Sequence, residues 1–190
     1  MNEPPCFPVL QSQVTLAFDG GEPEFAGERV QSRVLELLQA GDLILPEAFH
    51  RPGPDRYARR LLHRDPQRDL VIVAMAWGPN QGTLLHDHGG RWCFECVLAG
   101  EMVADVYEVV ERSPDGDLLR FRWLCQDRQP KGSSALLRPP IEHHIFRNPS
   151  PDTPALTLHI YGGELASCNV FLPDREDWFR REVRDLSYDP

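Results

Sequence analysis

Along the run ERVQSRVLELLQA, residues 28–40, apolar side chains stand at Val30, Val34, Leu37 and Leu38, among others, followed by Gly41. Spacings near i, i+4, i+7 and i+8 line one face of a helix, and a glycine ends one, so the pattern predicts an amphipathic helix over 28–40. A second short helix is expected in DRYARRLLH, residues 55–63, after the Pro-Gly-Pro at 52–54 and with Asp55 as its cap. Residues 1–65 therefore read as mostly helical.

Beyond Pro66 the texture changes. The runs DLVIVAMAW, CFECVLAG, EMVADVYEVVE, LRFRWLCQD, SSALLRP, HHIFRN, ALTLHIYG and SCNVFLP are short, apolar or alternating, and are separated by Gly, Pro, Asp and Asn. Many short strands at such spacing predict a mainly β protein, an antiparallel β-barrel or double-sheet jelly roll with N-terminal helices. SPDG at 113–116 should close a hairpin. The expected organisation is one domain over 1–190: a helical cap over 1–65, a barrel over 66–173, and a C-terminal tail over 174–190 packed on the barrel.

Composition narrows the setting. With 190 residues, 41% hydrophobic and 26% charged, the chain suits one globular domain, and no run reaches the roughly 18 apolar residues of a membrane span. No membrane association is expected. The opening MNEPPCFPVL lacks a basic then apolar leader, so a cytoplasmic location is expected. Cys6, Cys93, Cys96, Cys125 and Cys168 make an odd count with no pair of CxxC motifs, against both a disulfide framework and a zinc ribbon. A formal charge of -9 repels phosphate backbones, so no nucleic-acid partner is expected.

The candidate chemistry is a metal site. His86 and His88 are two apart, and side chains at i and i+2 of a strand share a face, so both imidazoles can converge on one ion. A third ligand would come from another strand, with His143 and His144 as the candidates. Three neutral imidazoles leave the full double charge on the ion and open positions around it, which suits anionic ligands such as a thiolate. Redox chemistry at such a site points to Fe(II) rather than zinc.

The order His86-x-His88, four residues, Cys93, six residues, Gly100 resembles the first half of the cupin pattern, with cysteine in the slot where glutamate is usual. The second half of that pattern sets a histidine four residues before an asparagine. That matches His144 and Asn148, with His143 as the alternative. Together with RYARRLLH and LTLHIYGG, these residues resemble the cysteine dioxygenase type I family of cupins, from about Asp55 to Phe171.

The resemblance implies a ferrous site on His86, His88 and His144, with small thiol and O2 as partners. It implies conversion of L-cysteine to cysteine sulfinate; separately, a monomer or weak homo-oligomer is expected. It assigns Arg59, with Tyr57 beside it, to the substrate carboxylate and Cys168 to the pocket wall. It also implies a thioether cross-link between Cys93 and Tyr161, and a relay of Thr157, His159 and Tyr161 in which the histidine orients the phenol. The chain departs from cysteine-specific members at Gly162 and Gly163, which stand where Ser-Pro is usual. Related enzymes with that glycine pair prefer 3-mercaptopropionate or mercaptosuccinate, and a non-catalytic metal-binding cupin is the further alternative.

Overall fold

A computed structural model describes residues 6–190. Two helices come first, α1 (Cys6–Asp19) and α2 (Ala26–Ala40). The predicted helix is α2, begun two residues earlier than expected: Val30, Val34 and Leu37 are buried, and Gly41 ends it at φ 78°. The Asp42 amide donates to the Leu37 carbonyl 3.0 Å away, closing the last turn as a left-handed glycine allows.

Eleven strands follow: β1 (Ala58–Asp65), β2 (Leu70–Trp77), β3 (Leu85–His86), β4 (Cys93–Ala99), β5 (Glu101–Arg112), β6 (Leu118–Pro130), β7 (Ser134–Leu137), β8 (His143–Arg147), β9 (Ala155–Tyr161), β10 (Ser167–Arg175) and β11 (Trp178–Asp185). One sheet has the order β1-β2-β9-β4-β7. The other six strands, β10-β11-β6-β5-β8-β3, hydrogen-bond in an order that closes on itself. All pairings are antiparallel, and SPDG joins β5 to β6 as expected, with the Ser113 amide donating to the Leu118 carbonyl at 2.9 Å. The fold is mainly β with N-terminal helices, as the sequence pattern predicts.

The five-stranded sheet is covered on both faces. Ile72, Ala74, Phe94, Cys96, Leu158 and Ile160 pack against Leu10 and Val14 of α1 and Val30 and Val34 of α2. Their strand neighbours Val71, Val73, Met75, Cys93, Val97 and Tyr161 point the other way, toward Met102, Ala104 and Phe146 of the second sheet. Strands buried on both sides carry unbroken apolar runs, which is why β2 reads LVIVAMAW rather than alternating. Cys93 and Cys96 thus sit on opposite faces of β4, and both are free thiols.

Two expectations are corrected. DRYARRLLH is not a helix: Ala58–Asp65 is β1, paired with β2 from Ala58↔Ala76 to Asp65↔Leu70. A bulge between Leu61 and His63 shifts the register, so Ala58, Leu61 and Leu62 take a helix-like spacing along an edge strand. The helical cap therefore ends before residue 58. The C-terminal segment is also more than a tail on the barrel: β11 closes the ring between β10 and β6. Beyond it, the Asp189 amide donates to the Arg59 carbonyl at 2.7 Å and Asp189 Oδ2 accepts from the Arg59 amide at 2.8 Å. Among the described residues no helix is long and apolar enough to cross a membrane.

Candidate metal centre and substrate pocket

His86 ends β3 and His144 lies on β8, and the two are directly opposed in the antiparallel register. His88 follows β3, where its amide donates to Glu142 Oε2 at 3.1 Å before the chain turns through Gly89 and Gly90, both with positive φ. The ring centroids of the three lie 5.2 Å (His86 to His88), 4.6 Å (His86 to His144) and 5.2 Å (His88 to His144) apart. One nitrogen from each falls within 4.8 Å of the others, so the three donors converge on one space.

The donor set fits a divalent metal. His86 Nδ1 donates to the Leu84 carbonyl at 3.0 Å, which leaves Nε2 as a lone-pair donor. His88 Nδ1 and His144 Nε2 are buried with no hydrogen-bond partner. Burial holds the pKa of all three rings below the ordinary histidine value, so the rings are neutral, the form that ligates. His143 points elsewhere, between the Phe121 and Phe171 rings at 5.3 and 5.5 Å, with its pKa lowered to about 4 by burial. Of the two candidates for the third ligand, His144 is the one brought to His86 and His88.

The three rings line an inner cavity of about 30 Å³ together with Arg59, Met75, Trp77, Glu95, His159, Tyr161 and Cys168. Tyr57, Arg59, His86, Cys168 and Leu186 also border a wider recess of about 340 Å³. The inner space is sized for a ligand of few atoms. Tyr57 stacks on Trp77 at 4.3 Å. Trp92 packs outside the cavity, near Phe18.

Arg59, on β1, is only 2% exposed. Its Nη2 donates to the Leu165 carbonyl at 3.2 Å, while Nε and Nη1 are buried without partners. The guanidinium lies 4.4 Å from the Tyr188 ring centre and 5.9 Å from that of Tyr161. Tyr188 is held by its hydroxyl, which donates to Glu164 Oε1 at 2.8 Å. A buried cation with two idle donors at a cavity wall is built for an anion that the cavity admits.

Cys93 and Tyr161 are cross-strand partners of β4 and β9. Cys93 Sγ lies 3.7 Å from the Phe94 carbonyl oxygen, and burial holds the pKa values of both Cys93 and Tyr161 well above their ordinary ranges. Thr157, His159 and Tyr161 do share the cavity face of β9, but the expected histidine-to-phenol contact differs. The His159 and Tyr161 rings lie parallel, 6.1 Å apart at 14°. His159 Nε2 instead meets Thr157 Oγ1 at 2.7 Å, and that oxygen accepts from Trp77 Nε1 at 2.8 Å. His159 Nδ1 faces Cys93 Sγ at 4.0 Å and Glu95 Oε1 at 3.4 Å. Spacing by two puts both rings on one face, which stacks them rather than joining them end to end.

The departure at Gly162 and Gly163 has a steric cause. A Cβ on Gly162 would lie 2.2 Å from Trp92 Nε1, and one on Gly163, at φ 131°, would lie 1.5 Å from Arg91 Nη1. The Trp92 indole fills the space at Gly162, and at Gly163 it is the backbone conformation that disfavours a side chain, since the Arg91 guanidinium can move aside. Glu95, Leu165, Leu186 and Tyr188 were not singled out by sequence reasoning. Only Glu95 carried a signal, as a charged residue two after Cys93 inside the apolar strand CFECVLA.

A family profile described as Cysteine dioxygenase type I matches residues 47–174. A Danio rerio protein named Cysteine dioxygenase type 1 is 26% identical over 117 residues, which are 61% of this chain and 56% of that protein. The chain thus matches little more than half the length of that relative. Its Bos taurus counterpart is 23% identical over 150 residues, 77% of this chain and 72% of that protein. Among solved structures, a Thermus thermophilus protein is similar over 63% of this chain and 94% of its own, with 22% identity and a TM-score of 0.46. The profile spans most of the chain, including β1 with Arg59, all three clustered histidines and β9, and the chain accordingly belongs to the cysteine dioxygenase type I family of the cupin superfamily.

Proposed function

We propose that this protein is a non-haem Fe(II) thiol dioxygenase that adds both atoms of O2 to the sulfur of a small carboxylate thiol, with L-cysteine as the first substrate to test. The balance is simple: R–S⁻ and O2 give R–SO2⁻, with sulfur giving up the four electrons that dioxygen takes and no other reductant needed. An Fe(II) ion on His86, His88 and His144 supplies the redox chemistry that lets ground-state dioxygen react with a thiolate.

The protein's own residues do the rest. Arg59 receives the substrate carboxylate on Nε and Nη1, fixing which end of the molecule faces the histidines. Tyr57 and Cys168 wall the entrance beside it. The Tyr161 phenol, kept protonated by burial and next to Cys93, offers a hydrogen-bond donor inside the cavity. Trp77 holds Thr157 and Thr157 holds His159, so the polar face of β9 is fixed before substrate arrives. The Cys93–Tyr161 pairing also suits a thioether; forming it removes the hydrogens of one S–H and one ring C–H to an oxidant, for which O2 serves.

The observation that carries this reading is Arg59, a buried guanidinium with two unpaired nitrogens in the same small cavity as three neutral, convergent imidazoles. The glycine pair at 162–163 has a packing cause and so does not by itself favour the 3-mercaptopropionate or mercaptosuccinate reading. The test is oxygen uptake by the iron-loaded protein with L-cysteine, 3-mercaptopropionate and mercaptosuccinate side by side. Uptake with stoichiometric sulfinate is expected for at least one of them. Inertness toward all three would leave a metal-binding cupin without this activity.

A further inference from the structure

Along β1, Arg59 is paired with Met75 and Arg64 with Val71, and Met75 and Val71 both face the cavity side of the five-stranded sheet. Paired residues of antiparallel strands share a face, so the bulge between Leu61 and His63 brings Arg64 round to the face of Arg59. The half-buried ring of Tyr188 lies against both. Its centre is 4.4 Å from the Arg59 guanidinium carbon and 5.7 Å from that of Arg64.

Tyr188 is itself held from several sides. Two residues before it, Leu186 lines the inner cavity, and its amide donates to the Ala166 carbonyl at 2.8 Å. One residue after it, Asp189 is bonded to both the amide and the carbonyl of Arg59. The Tyr188 hydroxyl donates to Glu164 Oε1 at 2.8 Å, and Glu164 Oε2 lies 2.7 Å from Arg64 Nε. Residues 164–166 thus join one cluster at three points: Glu164 to Tyr188, Leu165 to the Arg59 guanidinium, and Ala166 to Leu186.

The charge on Arg59 is the reason such a support matters. A guanidinium stays charged at any working pH, and this one is 2% exposed with a single hydrogen bond, to the Leu165 carbonyl. The carboxylates of Asp189 and Glu164 pair with Arg56 and Arg64 instead. A carboxylate on Arg59 would occupy the N–H groups that an incoming anion needs. A ring face does not: it attracts the cation through its π-cloud and leaves the in-plane donors free.

We propose that Tyr188 is a positioning residue of the anion site, its ring face holding the Arg59 guanidinium with Nε and Nη1 open to the cavity. The inference rests on the reading of Arg59 as the receiver of the substrate carboxylate. Preference for carboxylate thiols is then set by the segment 186–189 as well as by β1.

The test is anaerobic titration of Co(II)-loaded protein with 3-mercaptopropionate and with cysteamine, followed by thiolate-to-metal charge-transfer absorption, in wild type, R59A, Y188L and Y188F. Steady-state oxygen uptake by the iron-loaded forms runs alongside. For Y188L, binding of 3-mercaptopropionate should weaken about 5- to 10-fold and its KM rise to match, while its kcat and the binding of cysteamine stay within about 3-fold of wild type. Y188F keeps the ring and loses only the hydroxyl, so both thiols should bind it within about 3-fold of wild type. Y188M, with an unbranched side chain that fills irregular space, takes the place of Y188L if that variant does not fold. Equal weakening of both thiols in Y188L, or unchanged binding of both, would overturn the proposal and leave the tyrosine as packing. Selective loss of 3-mercaptopropionate in R59A with none in Y188L would sink the positioning role alone, whereas equal effects on both thiols in R59A would sink the anion site with it.

Discussion

Replacing Arg59 by alanine is the sharpest test of how the cavity reads its substrate. The side chain is 2% exposed, Nη2 is already engaged by the Leu165 carbonyl, and Nε and Nη1 have no protein partner. A carboxylate received there gains charge-assisted hydrogen bonds, each contributing about 1.5–3 kcal/mol. Two such bonds at the lower value give ~3 kcal/mol, and at 1.4 kcal/mol per decade that is a loss of roughly 100-fold in apparent affinity. Arg59→Ala should therefore raise KM for L-cysteine and 3-mercaptopropionate by about two decades, with a smaller effect on kcat. Cysteamine, which carries the thiol and amine but no carboxylate, should change by less than about 3-fold. Steady-state oxygen uptake across the three thiols measures this directly. Equal losses on cysteamine and on the carboxylate thiols would refute the reasoning, because Arg59 would then be supporting the cavity rather than binding an anion.

Other variants probe the remaining assignments. Tyr161→Phe removes the phenol beside Cys93 and should lower kcat by about 10- to 100-fold while iron content stays near wild type; equal loss of iron, read by elemental analysis, would count against a role in turnover. The same variant and Cys93→Ala should both abolish any wild-type intact-mass deficit of two hydrogens. His144→Ala should empty the protein of iron, whereas His143→Ala, which changes a ring lodged between Phe121 and Phe171, should keep it. Gly162→Ala forces a methyl to within 2.2 Å of Trp92 Nε1 and should cost about 1–3 kcal/mol of unfolding free energy, read from denaturant titration, a penalty absent if the turn relaxes freely.

What was legible in the chain was whatever a local pattern determines. The spacing of Val30, Val34 and Leu37 ending at Gly41 specifies α2, because a buried stripe and a left-handed cap are both properties of neighbouring residues. The unbroken run of β2 marks a strand covered on both faces, and His86-x-His88 supplies two neighbouring imidazoles, although β3 ends at His86 and the loop after it, not strand alternation, sets His88. Ser113 to Gly116 closes its hairpin through its own backbone.

What only the tertiary structure decided were the matters that depend on a partner distant in sequence. Ala58–Asp65 has a helix-like spacing and is a strand because the edge of β2 was there to pair with it, with a bulge absorbing the mismatch. His144 rather than His143 joins the histidines because β8 runs opposite β3 in one register and not its neighbour, and a slip of one residue would exchange the two. Glu95 reads as one more charge in CFECVLA until β9 sets it against His159 and β8 brings His144 to within 3.7 Å. Residue identities and short spacings determined which donors this protein possesses. Which of them share one small cavity was decided by strand pairing across the sheets, since no local rule carries the register between segments that lie 50 or more residues apart.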